Sequence, residues 1–109
     1  MSNATAQVVI VAYKPKPEKQ ADLLQLTREH LPILRAEGLA TNMPEITVMA
    51  DGGVIVEIFE WAPGGTERAH TNPTVLAMWK RYADACDIIP LRDLAEASQL
   101  FAAFRKVEL

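Results

Sequence analysis

Few side chains in this sequence of 109 residues are of the types that carry acid–base chemistry near neutral pH. There are two histidines, His30 and His70. An imidazole can accept a proton from an acidic substrate hydroxyl, because histidine titrates near neutrality. His70 stands just before Asn72-Pro73, where a helix is expected to begin, and it is our candidate base. A surface or capping role is the alternative for His70. We interpret His30, beside Pro32, as structural.

Glu57 is the second candidate for catalysis. It is a carboxylate within an apolar segment, between Ile55 and Phe59. Three environments are open for such a residue: a rim, an ion pair with a cation such as Arg105, or burial beside a cavity. Only the buried and unpaired case would make Glu57 the preferred general base.

A stripe of large side chains follows at helical spacing. Its members are four, three, four and three residues apart, so they lie along one helix face, namely Val75, Trp79, Tyr82, Cys86 and Ile89. Packing against a sheet would by itself produce this stripe. The alternative is a pocket wall, in which Trp79 and Tyr82 hold a flat ligand and the tyrosine hydroxyl orients it.

Other kinds of site are not indicated. Neither histidine has the spacing of metal ligands, and no glycine-rich phosphate loop or G-x-S-x-G motif occurs, so we expect no metal and no bound cofactor. The net charge of −3 argues against nucleic acid as a partner. No apolar run approaches the about 20 residues that a membrane span needs, so no membrane partner is expected. A single cysteine is typical of a reducing compartment, and we expect a cytoplasmic protein.

The elements that must position these side chains can be predicted in order along the chain. Residues 7–13 form a strand that is apolar on both faces, and residues 17–38 form a helix interrupted at Pro32. Residues 45–61 form a β-hairpin around the turn Asp51-Gly52-Gly53. A short helix follows, then a longer one from Pro73 to about Asp87, and a last strand over about 100–107.

This order predicts an α+β fold, a ferredoxin-like βαββαβ subunit with a four-stranded antiparallel sheet. Both helices would cover one sheet face, yet the strands are apolar on the other face too, and 50% of the residues are hydrophobic. One chain has nothing left to cover that face. We therefore expect a homodimer packed sheet to sheet. Residues 6–109 are expected to form a single domain, and residues 1–5 a disordered or tag-like N-terminus.

The layout resembles the dimeric α/β-barrel superfamily, nearest to antibiotic-biosynthesis-monooxygenase-like domains. The resemblance is carried by "EIFEWAPGGTERAH", with its acidic-aromatic pair Glu60-Trp61 and the histidine that ends a short helix, and by "TNPTVLAMWKRY". It implies a dimeric α/β barrel with a pocket between sheet and helices. Trp79 and Ala12-Tyr13 stand where haem-degrading relatives carry a histidine and an asparagine, so haem degradation is not expected. Many relatives also have a histidine where Thr74-Val75 stand here.

The resemblance further implies a cofactor-independent monooxygenase that acts on a small aromatic or quinol-type substrate. We assign His70 and Glu57 as candidate catalytic residues. The candidate substrate-binding residues are all aromatic: Trp61, Trp79, Tyr82, Tyr13 and Phe59. Two alternatives stay open: a non-catalytic small-molecule-binding or stress-associated homodimer, and an isomerase or lyase on the same scaffold.

Overall fold

A computed structural model of the chain describes residues 5–109 and shows an α+β architecture. Four of the five residues assigned to a disordered or tag-like N-terminus lie outside the described residues. The strands and helices, in chain order, are β1 (Gln7–Pro15), α1 (Gln20–Ala36), β2 (Ile46–Met49), β3 (Ile55–Trp61), α2 (Gly65–Ala69), α3 (Pro73–Ala85), β4 (Cys86–Ile89) and β5 (Arg105–Lys106).

The strands form one antiparallel sheet in the order β4-β1-β3-β2-β5. The long central pair, β1 and β3, runs from Gln7 opposite Trp61 to Tyr13 opposite Ile55. β2 and β3 form the predicted hairpin, and Gly52 and Gly53 in its turn have φ values of 78° and 83°. This left-handed conformation favours glycine, because a Cβ would be strained there.

The prediction for the end of the chain is wrong in two respects. First, the sheet has five strands instead of four, because α3 ends at Ala85 and residues 86–89 pair with β1 as β4. Cys86 is already extended, with φ −156° and ψ 170°. The β-branched pair Ile88-Ile89 suits a strand, and β1 offers its free edge for backbone hydrogen bonds. Second, the last predicted strand shrinks to two residues beside β2.

Both long helices pack on the same face of the sheet, which we call the helix side. The alternate residues of the two central strands point there: Val9, Val11 and Tyr13 from β1, and Ile55, Glu57, Phe59 and Trp61 from β3. They meet a row of buried leucines on α1, together with Val75, Met78 and Tyr82 on α3. The main core of the subunit therefore lies on the helix side and encloses one carboxylate.

The opposite face of the sheet, which we call the second side, is apolar and only partly covered. Residues 90–104 return across it, and Leu94 and Phe104 pack against Ala12 and Val56. The expectation that the chain has nothing left to cover this face is wrong to that extent. Val8, Ile10 and Ile46 remain 54%, 47% and 53% exposed in the single chain.

Local sequence signals fix the ends of the helices that frame the site. Asn72 is the N-cap of α3, where its side chain accepts a hydrogen bond from the backbone N–H of Val75, and Pro73 is the first helical residue. α1 continues through Pro32 and ends before Gly38, whose φ is 72°. Within residues 5–109, no helix has the length and apolar character needed to cross a membrane.

Candidate functional site

A cavity of about 460 Å³ opens on the helix side, between α3, α1 and the edge of the sheet. This volume falls in the range of about 300–1,000 Å³ that small-molecule sites occupy. Its wall is mainly aromatic and apolar, formed by Tyr13, His30, Trp79, Tyr82, Cys86 and Ile88. Exposed Ala83 and Asp87 complete its rim.

A larger cavity of about 560 Å³ lies at the other end of the sheet, between the hairpin turn and residues 95–105. Its only ionisable groups are Asp51, Glu96 and Arg105, and it is a wide, open depression. We regard the smaller, aromatic cavity as the better candidate site. It alone of the two combines an apolar lining with a histidine and a buried hydrogen-bond cluster.

Beneath the aromatic cavity, Glu57 is completely buried and bonded to two side chains that line it. The Tyr13 hydroxyl donates to Glu57 Oε1 over 2.9 Å, and His30 Nδ1 lies 2.9 Å from the same oxygen. β1 brings Tyr13 into place, because Tyr13 and Glu57 both point to the helix side two residues apart in the register. His30 comes from α1, where it lies one helical turn before Leu34 on the buried face. Glu57 therefore acts on the cavity through these two neighbours.

The bond to Glu57 fixes which ring nitrogen of His30 can do chemistry. Oε1 accepts the hydrogen bond from the Tyr13 hydroxyl and therefore carries no hydrogen of its own. It can only accept from His30 as well, so Nδ1 carries the hydrogen of that bond. In the neutral ring Nε2 then has a free lone pair. Since His30 lines the cavity and Nδ1 is engaged, Nε2 is the nitrogen available to a ligand. A carboxylate that holds an imidazole in one tautomer is the arrangement of a general base with its orienting partner.

The two tyrosines of the cavity stay protonated at neutral pH. Burial, followed by the negative charge of Glu57, raises the pKa of Tyr13 well above its ordinary value. The same two causes raise the pKa of Tyr82. The Tyr82 ring stacks on Tyr13 with centroids 4.8 Å apart, and its hydroxyl lies 3.4 Å from Thr27 Oγ1. Both hydroxyls are therefore hydrogen-bond donors, and neither tyrosine is a base.

The burial of Cys86 raises the pKa of its thiol to about 11, and the charge of Asp87 adds to this. A thiol with such a pKa is almost entirely protonated at neutral pH, so Cys86 is not an activated nucleophile. It serves as part of the cavity wall.

A second carboxyl group, Glu45, lies close to Glu57. Burial, followed by the nearby carboxylate of Glu57, raises its pKa to about 7, while the charge of Arg35 lowers it. Arg35 also ties down the preceding loop, because its guanidinium donates to the carbonyls of Thr41 and Met43. Glu45 is therefore close to Glu57 but is not among the residues that line the cavity.

The structure brings together four of the seven side chains assigned from the sequence. Tyr13, Trp79 and Tyr82 line the cavity, and Glu57 lies directly beneath it. Of the three environments open for Glu57, the structure shows burial, with Tyr13 and His30 as partners in place of Arg105.

The other three assigned residues lie elsewhere. Phe59 is buried under the His30 ring, 5.5 Å between centroids, and Trp61 packs on Phe59 at the far end of β3. His70 is exposed, and its Nδ1 donates to the Thr66 carbonyl over 2.7 Å. The His70 and Trp79 rings pack edge to face with their centroids 5.3 Å apart, so His70 contacts a residue of the cavity wall without lining the cavity.

Sequence reasoning missed the roles of His30 and Glu45. His30 lies seven residues after Leu23 and four before Leu34, on the buried stripe of α1, and this spacing was the available signal. Glu45 precedes the short strand β2, and nothing local distinguishes it from a solvent-exposed loop carboxylate. Within the part of the chain that the structure describes, no group of three or more metal-binding side chains occurs.

Comparisons with protein-family models, with curated proteins and with solved structures give no match to this chain.

Proposed function

We propose that the aromatic cavity binds a small flat molecule with a weakly acidic group, and that His30, oriented by Glu57, takes the proton from that group. One observation carries this proposal: Tyr13 and His30 both bond to Glu57 Oε1 at 2.9 Å while both line the cavity. A positioned general base contributes about 10²–10⁴-fold to the rate of proton transfer. Trp79 and Tyr82 supply the flat walls.

We further propose that the reaction is a cofactor-independent oxygenation of an electron-rich aromatic compound, such as an anthrone-type methylene. Once the substrate is deprotonated, its anion can reduce dioxygen directly. The methylene carbon loses four electrons and both hydrogens. One oxygen atom becomes the new carbonyl oxygen, and the other leaves with the two hydrogens as water. The family resemblance and the apolar aromatic lining support this class of reaction, and His30 replaces His70 as the preferred base.

A second candidate is a binding protein without catalysis. The observation that favours it is the internal pairing of the polar groups: the Tyr13 hydroxyl is taken up by Glu57, and the Tyr82 hydroxyl points to Thr27. Only His30 Nε2 is then left to react with a ligand, and the remaining wall is apolar. Such a cavity can hold a flat molecule without changing it.

Oxygen uptake with a panel of hydroquinones and anthrones separates the two candidates. We expect consumption above the protein-free control for at least one compound, and a loss of about 10²-fold or more in His30→Gln. His70→Gln is the matched control and should stay within a few-fold of the unmodified protein. Quenching of tryptophan fluorescence without oxygen uptake would support the binding protein instead. Loss of activity in His70→Gln but not in His30→Gln would return the base to His70.

We propose that the subunit is ferredoxin-like and pairs through its second side into a dimeric α/β barrel. The order β4-β1-β3-β2 of the first four strands, with both long helices on one face, supports the first part. The half-exposed Val8, Ile10 and Ile46 support the second part, since a contiguous apolar patch of this kind marks an association surface. Light scattering after gel filtration should give the mass of two chains.

A further inference from the structure

Glu45 and Glu57 face each other with unsatisfied carboxylate oxygens. Across the hairpin, Thr47 is opposite Glu57, and the alternation of β2 continued back by one residue places Glu45 on the same side of the sheet. Glu45 Oε2 and Glu57 Oε2 are both enclosed, and neither has a hydrogen-bond partner among residues 5–109. Two ionised carboxylates can only accept hydrogen bonds and repel each other. A proton between them satisfies both atoms at once.

The charged groups around this pair come from every neighbouring element. Arg35 and His30 on α1 act on Glu45. Tyr13 on β1 and Tyr82 on α3 face Glu57, and both are neutral because Glu57 and burial raise their pKa values. Of the two carboxyl groups, Glu57 is fully buried and Glu45 is partly exposed to solvent, so Glu45 is the one through which the pair exchanges a proton with water.

We propose that Glu45 and Glu57 share one proton between their Oε2 atoms, which makes Glu45 a positioning residue for the Glu57–His30 pair. The catalytic part of this inference rests on the proposed function. The shared proton turns Glu57 so that Oε1 faces Tyr13 and His30. It also leaves one negative charge beneath the cavity instead of two.

The consequence is a site whose base depends on pH in the neutral range. The pKa of Glu45 is raised to about 7 by burial and by Glu57, so its proton is lost as the pH rises through that value. The second negative charge then repels Glu57, and without the shared proton nothing keeps Glu57 Oε1 turned towards Tyr13 and His30. Activity should therefore decline on the alkaline side of about pH 7.

The shared proton can be tested without any substrate, by following the Glu45 carboxyl carbon in ¹³C-glutamate-labelled protein as the pH is changed. We expect a midpoint near 7 in the unmodified protein. Glu57→Gln should lower it by about one pH unit or more, since it removes the like charge. Glu60→Gln is the control, because Glu60 lies on the same strand but bonds to Thr41. A midpoint near 4.5 in the unmodified protein, or the same midpoint in Glu57→Gln, would overturn the proposal.

If Glu57→Gln does not fold, infrared spectroscopy can show whether Glu45 holds the shared proton. The unmodified protein should show a protonated carboxyl band at pH 6 that is absent from Glu45→Gln, and its presence in both proteins would assign the proton to another group. The positioning role has its own readout. Glu45→Gln keeps a donor for Glu57 but cannot ionise, so kcat should lose its decline above about pH 7 with little change in KM.

The outcomes separate the two claims. If neither the unmodified protein nor any variant consumes oxygen, the proposed oxygenase is wrong. The carboxyl titration would still show whether Glu45 and Glu57 share a proton. Activity in Glu45→Gln with an unchanged pH profile would overturn the positioning role, whatever the titration shows.

Discussion

The two sides of the sheet are built on opposite principles. On the helix side, the apolar core encloses a hydrogen-bonded group in which Glu57 holds Tyr13 and His30. On the second side, the side chains are apolar, and Ile10 and Ile46 remain about half exposed in the single chain. The strands are the same, so alternation along β1 and β3 alone separates the two environments.

The difference is the basis for assigning the proposed chemistry to one side of the sheet. An apolar face can be covered by any apolar surface of suitable shape, whether the return of residues 90–104 or a second copy of the chain. A buried carboxylate is stable only with particular partners at particular distances. We therefore propose ligand chemistry for the helix side and association for the second side.

Replacing the buried carboxylate itself should cause the largest loss of stability. Glu57→Leu leaves the Tyr13 hydroxyl and His30 Nδ1 enclosed without an acceptor. Breaking a buried polar pair by removing one partner costs about 3–5 kcal/mol, and we expect a loss of this size in the free energy of unfolding, measured by urea denaturation.

The double variant His30→Leu/Glu57→Leu is the control for that prediction. It removes both partners, and apolar replacements of a whole buried pair are often neutral. We expect the double variant to be more stable than Glu57→Leu alone. Additive losses in the two single variants would mean that His30 and Glu57 do not interact energetically.

A matched pair of isoleucines tests the apolar parts of the two sides. Ile55→Ala on the helix side should cost about 2–5 kcal/mol, because Ile55 is fully buried. Ile10→Ala on the second side should cost less than about 1 kcal/mol in dilute protein, since half of Ile10 already contacts water. Urea denaturation measures both.

The proposed dimer adds a sharper form of this test. If the second side is shielded by another subunit, the unfolding midpoint should rise with protein concentration, and Ile10→Glu should abolish that rise and halve the mass in light scattering. A midpoint that is independent of concentration in the unmodified protein would contradict association through this face.

The sequence is sufficient to predict the elements whose signals are local. The hairpin around Gly52-Gly53 and the start of α3 at Asn72-Pro73 depend on turn and cap chemistry, and both predictions are confirmed. β4 was missed because Cys86 and Ile89 continue the spacing of the α3 stripe. The helix ends there because β1 has an unpaired edge, which is a tertiary cause.

The site shows the same limit. The inward direction of Tyr13, Glu57 and Tyr82 follows from periodicity, and these side chains do converge. His30 and Glu57 are 27 residues apart, and no local rule joins a helix histidine to a strand carboxylate. The sequence also favours His70 as the base, because His70 stands just before a helix. In the structure, however, His70 Nδ1 donates its hydrogen bond to the Thr66 carbonyl.

The smallest expected effect concerns the outer edge of the buried cluster. The pKa of Glu45 is raised from 4.5 to about 7 in the folded chain, so the folded state holds this proton more tightly than the unfolded state. The contribution of Glu45 to stability is thus full below about pH 4.5 and is lost as the pH rises through about 7. Because Glu45 is partly exposed, water screens the effect, and we expect about 1 kcal/mol.

Urea denaturation of the unmodified protein and Glu45→Gln at pH 5 and pH 8 measures this effect. Between the two pH values the unmodified protein should lose stability relative to the variant, since glutamine cannot ionise. Glu29→Gln is a suitable control, because hydrogen bonds from Gln25 and Arg81 lower the pKa of Glu29. Glu29 therefore stays ionised at both pH values, and its replacement should leave the difference between them unchanged. Parallel curves for the unmodified protein and Glu45→Gln would mean that Glu45 ionises freely. The helix side would then carry its polar cluster without a link to solvent, and the two sides of the sheet would differ in lining alone.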